Sequence, residues 1–248
     1  MACQPVFFLK ISVYLCIMNR IESKVTQVLT EQGASLIRFV DITGLPPEQN
    51  RGLPHAVSFG IALTPAYVRL VRETPDYVQT LIEQNRVEED EFCQKELAAG
   101  KLADRIAGML VSEGYRAYSL SDSNLIATDA WDAENLRTLL PQKTVAVLAG
   151  AGWIGKNNLL VTPAYGPALC IGTVLTDAPL AVAGAQVTES KCGTCRKCAD
   201  ICPEKVLYGR TWRKDVPREE RINVHRCTTC MKCLVHCPYT RRYLKQHE

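Results

Sequence analysis

Two runs of four cysteines near the end of the chain have the spacing of iron–sulfur ligands. Both runs follow C-x2-C-x2-C-x3-C-P, with Cys192, Cys195, Cys198 and Cys202 in the first and Cys227, Cys230, Cys233 and Cys237 in the second. In bacterial two-cluster proteins of this pattern, the fourth cysteine of each run ligates the other cluster. We therefore predict two [4Fe-4S] centres, one on Cys192, Cys195, Cys198 and Cys237 and the other on Cys227, Cys230, Cys233 and Cys202.

Zinc and disulfides are the alternatives for such cysteines. C-x2-C pairs also form tetrahedral zinc sites, but zinc requires neither four cysteines in each run nor a Cys-Pro step that opens a helix. Pro203 and Pro238 provide that step twice, at a position where a helix tolerates a missing N–H group. The crossed pattern uses all eight thiols. Free thiols in this number are typical of a reducing compartment, so we expect a cytoplasmic protein.

Charge is distributed unevenly along the chain. Residues 191–248 contain 14 basic and 6 acidic residues, whereas the remainder contains 15 basic and 20 acidic residues. A basic segment indicates nucleic acid or an acidic partner. The alternative is that the basic residues compensate for the negative charge of thiolate-bound clusters, since bound ions can be the largest local charges in a site. We favour charge compensation over RNA binding.

The length and composition are those of a globular protein with one large and one small domain. The chain has 248 residues, of which 47% are hydrophobic and 22% charged. Its first apolar stretch, residues 5–18, is too short to span a membrane and lacks the features of a signal peptide. We expect no membrane partner. Residues 1–17 are predicted to be a dispensable extension, because Met18 leads directly into a helical segment.

Apolar periodicity and turn residues predict the elements that must position these cysteines. The predicted elements are a helix over 21–32 that ends at Gly33, strands over 34–42 and 55–63, helices between 65 and 114 with a break at Pro75, a strand over 115–120 and a helix over 130–139. The acidic residues 88–91 are interpreted as a solvated helix face.

A glycine-rich loop precedes the cysteine runs and imitates two nucleotide-binding motifs. Gly150, Gly152 and Gly155 satisfy G-x-G-x-x-G, and Lys156 nearly completes a phosphate-binding loop. Both motifs require a helix directly after the loop. Two short apolar runs follow instead, at 158–161 and 168–175, and they predict a strand, a turn and a strand. Neither a dinucleotide site nor a nucleotide site is therefore well supported.

The same loop has a second interpretation as a wall of a different ligand pocket. Glycines allow a ligand to approach the main chain closely, while tryptophan offers a flat face and lysine a cation. We predict that the loop binds a cofactor or substrate through Gly152, Trp153, Gly155, Lys156 and Asn157. The structural alternative is that the glycines serve only close packing.

Three segments together resemble the epoxyqueuosine reductase family, which is related to reductive dehalogenases. They are Ala-Gly-Ala-Gly-Trp-Ile-Gly-Lys-Asn at 149–157, Gly-Thr-Val-Leu-Thr-Asp-Ala-Pro-Leu at 172–180 and Cys-Gly-Thr-Cys-Arg-Lys-Cys at 192–198. The resemblance implies an α/β domain akin to nitroreductases, cobalamin beside the two clusters, and reduction of an epoxide in a tRNA wobble nucleoside. It also implies that the glycine loop borders the cobalamin or substrate pocket.

The chain departs from this family at two functional positions. The family's acidic proton donor lies in a Val-Asp-Thr-like stretch shortly before the glycine loop, where this chain has residues 141–144, Pro-Gln-Lys-Thr. No catalytic residue is therefore assigned. The helical-repeat tail with which the family grips tRNA also has no counterpart before Glu248. A tRNA partner is accordingly an expectation from the resemblance alone.

These observations predict an α+β fold with an N-terminal α/β, nitroreductase-like domain over residues 18–185 and a two-cluster ferredoxin-like module over 186–248. The predicted function is a reductase that relays electrons from a low-potential donor of the ferredoxin or flavodoxin type to a site on the α/β domain. The alternative is a ferredoxin-type carrier without its own substrate. An apolar pocket beside Trp153 would favour the reductase, and a filled one would favour the carrier.

Overall fold

The computed structural model describes residues 20–213 and 216–248. The prediction for residues 1–17 lies outside this part of the chain. Within it, no helix combines the length and apolar character needed to cross a membrane.

The protein is a mixed α and β structure. The elements in chain order are a helix α1 over 20–31, β1 (Leu36–Asp41), α2 (Pro47–Asn50), β2 (His55–Ala62), α3 (Pro65–Glu73), α4 (Tyr77–Glu83), α5 (Glu91–Ser112), β3 (Ala117–Ser119), α6 (Asp122–Ala127), β4 (Trp131–Asp132), β5 (Arg137–Thr138), α7 (Gln142–Leu148), β6 (Trp153–Ile154), β7 (Leu160–Val161), β8 (Leu169–Thr176), α8 (Lys197–Ile201), α9 (Lys232–Val235) and α10 (Pro238–Lys245).

An antiparallel sheet of four strands lies at the centre, in the order β1-β2-β8-β3. The two central strands are almost entirely buried, as their continuous apolar sequences require for a sheet that is covered on both faces. Phe59 of β2 faces Gly172 of β8, and a Cβ atom on Gly172 would lie 2.2 Å from the Phe59 ring. Gly172 therefore serves sheet packing.

Helices cover the two faces of the sheet with separate apolar clusters. The larger cluster joins one face of β2 to α1, α3 and α5, through residues such as Val25, Phe59 and Ile106. The smaller cluster joins the opposite face to α6 and α7, with Ala56 and Val145 at its centre. The larger cluster continues into the last quarter of the chain through Met231, Leu234, Val235, Tyr243 and Leu244. The cysteine-bearing segment is thus packed into the main core.

The predicted helix over 130–139 is wrong. These residues form a short hairpin of β4 and β5. The Asp132 carboxylate accepts hydrogen bonds from the backbone N–H of Asn135 at 3.0 Å and from Nε of Arg137 at 3.1 Å. An aspartate that bonds to nearby backbone in this way competes with helix formation, which explains why the helical apolar spacing fails here.

The acidic stretch at 88–91 is not a solvated helix face as a whole. Glu88 and Glu89 are exposed, but Asp90 is 2% exposed and caps the start of α5 by accepting a hydrogen bond from the backbone N–H of Cys93. Tyr67 also donates to the Asp90 carboxylate, at 2.8 Å. Asp90 therefore anchors α5 to α3 from inside the protein.

Candidate iron–sulfur centres and the adjoining cavity

Short helices carry the cysteines of both runs. Cys198 lies in α8 and Cys202 directly follows it, while Cys233 lies in α9 and Cys237 directly precedes α10. Pro238 is the first residue of α10, where its missing N–H group costs no helical hydrogen bond. Pro203 lies in a turn and opens no helix, so the predicted helix start after a Cys-Pro step is present only once. The helices α8 and α9 pack against each other, which brings the two runs together.

The first thiol-lined cavity has a volume of about 230 Å³. Its thiols are those of Cys192, Cys195, Cys198 and Cys237. Burial, together with the neighbouring thiols, raises the pKa of Cys198 to about 11. Burial also raises the pKa of Cys237, although its hydrogen bonds from the backbone N–H groups of Tyr239 and Thr240 act in the opposite direction.

The second thiol-lined cavity has a volume of about 320 Å³. Its thiols are those of Cys202, Cys227, Cys230 and Cys233. Burial is again the main cause that raises the pKa of the Cys233 thiol, followed by the charges of Cys230 and Cys227. Each cavity therefore takes three cysteines from one run and the fourth from the other.

The arrangement of the thiols fits a cluster better than a single ion. Among the described residues, no three His, Cys, Asp or Glu side chains converge closely enough to hold one metal ion. Zinc draws four thiolates to about 2.3 Å from one point, whereas here four thiols surround a volume. Metal ligation requires the thiolate form, so loading these buried thiols with iron would release protons.

The glycine loop forms a hairpin of its own with β6 and β7. A Cβ atom on Gly152 would lie 2.1 Å from the carbonyl oxygen of Val161, and one on Gly155 would lie 2.5 Å from Oδ1 of Asn157. The close approach that these two glycines permit is therefore to the loop's own return strand. The helix α7 precedes the loop, and the strands β7 and β8 follow it, as predicted. The helix that both nucleotide-binding motifs require directly after the loop is not present.

Trp153 does not present its ring to a pocket. The side chain is 1% exposed and packs edge-on against Tyr239 of α10, with ring centroids 4.9 Å apart. Its indole N–H has no hydrogen-bond partner among the described residues. The space beside Trp153 is thus filled by the helix that follows Cys237.

Lys156 and Asn157 connect the loop to both thiol-lined cavities. Lys156 lines the first cavity and donates a hydrogen bond of 2.7 Å from Nζ to the carbonyl oxygen of Gly193, between the first two cysteines. Asn157 is buried and lines both cavities. The loop is therefore the wall that the two cavities share. Lys191 and Arg242 add two further cations to the first cavity.

The second cavity extends from its four thiols to polar groups of the sheet domain. Glu96 of α5 and Lys143 of α7 line it, together with Asn157 and Asn158. Nζ of Lys143 donates to the carbonyl oxygen of Asn158 at 2.8 Å, and Nη1 of Arg221 donates to Oδ1 of Asn158 at the same distance. The remaining lining is mainly apolar, from residues such as Leu159, Leu160, Leu169, Ile171, Val206, Leu207 and Ile222.

Two ionisable groups that the sheet domain contributes to this cavity have shifted pKa values. Desolvation, with the charge of Asp122, raises the pKa of Glu96 to about 7, although Glu96 is an exposed residue. Desolvation, with the charges of Arg221 and Arg218, lowers the pKa of Lys143 to about 8. Sequence reasoning missed Glu96, which is one polar residue on a long helix. Lys143 lies within residues 141–144, where the related family has an acidic proton donor, and a lysine at this place does not indicate one.

Comparison with known proteins first defines the class of the cysteine-bearing segment. Residues 185–238 match the 4Fe-4S dicluster domain family. The C-terminal part of the chain is therefore a ferredoxin-like domain of this class, as its cysteine spacing predicts.

Similarity to particular proteins extends beyond that domain. The chain is 40% identical over 68 residues to an epoxyqueuosine reductase from Bacillus anthracis and 34% identical over 109 residues to one from Pseudomonas aeruginosa. These matches cover 27% and 44% of this chain and 17% and 26% of the relatives, so the chain matches only a minor part of their length. The resemblance to epoxyqueuosine reductase is confirmed.

Solved structures share the fold over most of the chain. Epoxyqueuosine reductase from Streptococcus thermophilus superposes with a TM-score of 0.53 at 20% identity, over 90% of this chain and 67% of that one. A catabolic reductive dehalogenase superposes with a TM-score of 0.60 at 17% identity, over 89% of this chain and 32% of that one. The fold is therefore similar in both groups.

Proposed function

We propose that this protein is an iron–sulfur reductase that delivers electrons to a substrate at the open side of the second thiol-lined cavity. The first cluster would be held by Cys192, Cys195, Cys198 and Cys237, and the second by Cys202, Cys227, Cys230 and Cys233. One observation carries the proposal. The second set of thiols opens onto a cavity that also contains Glu96, Lys143 and Asn158 from outside the cysteine-bearing segment.

The residues of this cavity provide what a reduction needs besides electrons. Bound [4Fe-4S] clusters supply electrons one at a time. Glu96, with a pKa of about 7, holds a proton at neutral pH in about half of the molecules and faces the same space. Lys143 offers a cation for an anionic group of the substrate, held in place by its bond to Asn158.

The substrate class is inferred from similar proteins. One solved epoxyqueuosine reductase to which the fold is similar contains a tRNA stem loop with epoxyqueuosine. We infer that this chain reduces an electrophilic, modified nucleoside of the same kind. We also propose that residues 18–185 form a nitroreductase-like domain and residues 186–248 the ferredoxin-like module, although their apolar side chains share one core.

Cobalamin is the second cofactor that the similar proteins suggest, since one structural neighbour is titled for B12-dependent dehalogenation. The closed part of the cavity does not fit it. Its volume of about 320 Å³ is at the low end of the roughly 300–1,000 Å³ that holds a drug-sized ligand, and the four thiols claim part of that space for a cluster. A corrinoid is considerably larger than such a ligand. We therefore derive no step through cobalamin.

A carrier without its own substrate is the second candidate. The filled position beside Trp153 favours it, because Tyr239 occupies the space where the glycine loop was predicted to receive a ligand. The second cavity favours the reductase, because a pure carrier has no use for a carboxyl group and a lysine beside one of its clusters. We give the second cavity more weight since it adjoins four thiols.

The test is anaerobic reconstitution followed by single turnover. The loaded protein should contain about eight irons and eight sulfides per chain. The reduced protein should then convert a tRNA stem loop that carries epoxyqueuosine, and Lys143→Met should lower that conversion while both clusters stay in place. Added cobalamin should change neither the spectrum nor the conversion. Stoichiometric zinc without sulfide would refute the iron–sulfur proposal, and full clusters without any turnover would favour the carrier.

A further inference from the structure

A basic surface depression lies beside the cluster-bearing helices and belongs to neither thiol-lined cavity. We call it the basic groove, and its residues are Arg72, Lys197, Asp200, Ile201, His236 and Arg241. Arg72 lies in α3, whereas the others come from α8, from α10 and from the residue before Cys237. Arg72, Lys197 and Arg241 are all exposed.

The charge of this groove is not balanced within the protein. Arg72, Lys197 and Arg241 make no ion pair with any carboxylate in the described part of the chain. Asp200 is the acidic residue of the groove, and its nearest cation is Nε of Arg196 at 3.7 Å. Three unpaired cations on one exposed surface create a positive potential that attracts acidic partners.

Compensation of cluster charge does not account for these cations. The basic side chains that line the first cavity are Lys156, Lys191 and Arg242, and the one that lines the second is Lys143. None of the groove residues lines either cavity. The groove therefore carries basic residues beyond those that face the thiols, and they are directed at solvent.

The groove lies on the backbone segments that hold the cysteines. Lys197 precedes Cys198, Ile201 precedes Cys202 and His236 precedes Cys237. Through these neighbours the groove lies next to ligand residues of both proposed clusters. Electron transfer between proteins requires a short distance between redox groups, so this surface is suited to electron entry. The substrate cavity shares no residue with it, and the two functions can operate at the same time.

We propose that the basic groove is the docking site for a small electron-carrier protein whose redox group lies within an acidic surface. This inference rests on the proposed clusters. In the transfer, the reduced carrier loses one electron and a cluster gains it, with no bond formed or broken. The exposed side chain of Ile201 adds an apolar contact to the charged lining, and small interfaces are typical of transient redox encounters.

The position of the groove favours a redox protein over RNA. Phosphate binding needs basic residues but no proximity to a cluster, whereas a carrier needs both. The groove provides both basic residues and proximity to the cysteine ligands, so it suits a redox carrier better than RNA.

The experiment compares cluster-loaded wild type with the double variant R72E/R241E. Reduction by a reduced flavodoxin is followed by stopped-flow absorbance. The second-order rate constant of the variant should fall at least tenfold at low ionic strength, and the steep salt dependence of the wild type should be lost. R105E is the matched control, because Arg105 is an exposed arginine of α5 that lines neither the groove nor a thiol-lined cavity. Its rate should equal that of the wild type.

Two further measurements separate the outcomes. The extent of reduction by methyl viologen, a small cationic donor, should be equal in all three proteins once the reaction is complete, which shows that the clusters remain intact. An unchanged rate with flavodoxin in R72E/R241E overturns the docking proposal. Loss of affinity for a tRNA stem loop, with unchanged reduction by flavodoxin, overturns it in favour of RNA. A wild type that methyl viologen cannot reduce refutes instead the proposed clusters.

Discussion

The two thiol-lined cavities differ in their surroundings although their cysteine runs have the same spacing. Three cations surround the first cavity, Lys156, Lys191 and Arg242, and no acidic residue lines it. The second is larger, mostly apolar, and contains both Glu96 and Lys143. The difference fits the proposed function through a division of work, in which the first cavity would hold an electron relay and the second would face a substrate. Identical ligand motifs therefore do not imply identical roles.

The largest expected effect comes from Cys202→Ala. Cys202 belongs to the first run but lines the second cavity with Cys227, Cys230 and Cys233. The variant should lose the cluster of the second cavity, so iron should fall from about eight to about four atoms per chain. Electron paramagnetic resonance of the reduced protein should retain the signal of the other cluster.

Cys93→Ala is the control for this experiment, because Cys93 lines neither thiol-lined cavity. It should retain both clusters. Loss of the signal that depends on Cys192 in C202A, with the other signal intact, would refute the crossed arrangement.

Gly152→Ala tests whether the wall of the first cavity depends on close packing. The added Cβ would lie 2.1 Å from the carbonyl oxygen of Val161, a residue of that wall. Overpacking of this kind costs about 1–3 kcal/mol, and 1 kcal/mol changes the Tm of a domain of this size by about 2–4 °C. The melting temperature of the loaded protein should fall accordingly.

Gly108→Ala provides the comparison. Gly108 lies in α5 with nothing within 4 Å of the added Cβ, so alanine there should stabilise the helix by about 0.5–1 kcal/mol. If Gly152→Ala melts at the same temperature as Gly108→Ala, the loop relaxes around the added methyl group and does not require a glycine at position 152.

The carboxyl group of Glu96 in the second cavity should make the stability of the folded protein depend on pH. Among the described residues, no carboxyl group lines the first cavity. In the folded protein, burial raises the pKa of Glu96 from 4.5 to about 7. Between these values the folded chain binds more protons than the unfolded chain, so its stability falls as the pH rises. The Tm of the wild type relative to E96Q should therefore decrease as the pH rises from 4.5 to about 7 and then level off.

Glu73→Gln is the control, because Glu73 is an exposed glutamate like Glu96 but lines neither cavity. It should show no comparable change. A Tm difference between E96Q and wild type that is constant across the whole pH range would contradict the raised pKa of Glu96.

The smallest effect is expected from Lys156→Met in the first cavity. Removing this cation makes an added electron less favourable, so the reduction potential of the first cluster should become more negative. A partly exposed charge contributes about 0.5–1 kcal/mol, which corresponds to about 20–40 mV for one electron. The second cluster should be unaffected. Lys101→Met, at an exposed position of α5, should change neither potential, and an equal change of both potentials in K156M would contradict the separation of the cavities.

The sequence predicted the central strands because burial on both faces selects continuous apolar runs. The predicted strand over 55–63 corresponds to β2, and the predicted end of the first helix at Gly33 corresponds to a glycine with φ of 83°. The pattern over 130–139 failed because Asp132 bonds to nearby backbone and stabilises a turn instead. A single polar side chain was sufficient to override the apolar spacing.

The candidate site was predictable only where one type of residue defines its chemistry. Cysteine spacing indicated the ligands, since few other functions use it. The role of Gly152 was not predictable, because a glycine that meets a ligand and one that meets its own return strand have the same sequence signal. Glu96 was not predictable either, because its significance comes from a cavity formed with segments far along the chain, from Lys143 to Leu234.

The packing of the last helix into the main core has a consequence for the lifetime of the protein in the cell. Tyr243 donates a buried hydrogen bond of 2.9 Å to the carbonyl oxygen of Leu63, and Leu234 and Leu244 complete the same core. Leu234 lies in α9 beside Cys233, and Tyr243 and Leu244 lie in α10, which begins directly after Cys237. Oxygen damage that strips the iron would therefore also loosen the core and expose apolar surface. We expect damaged molecules to be removed by quality-control proteases, so that the intact cofactor determines how long each molecule survives.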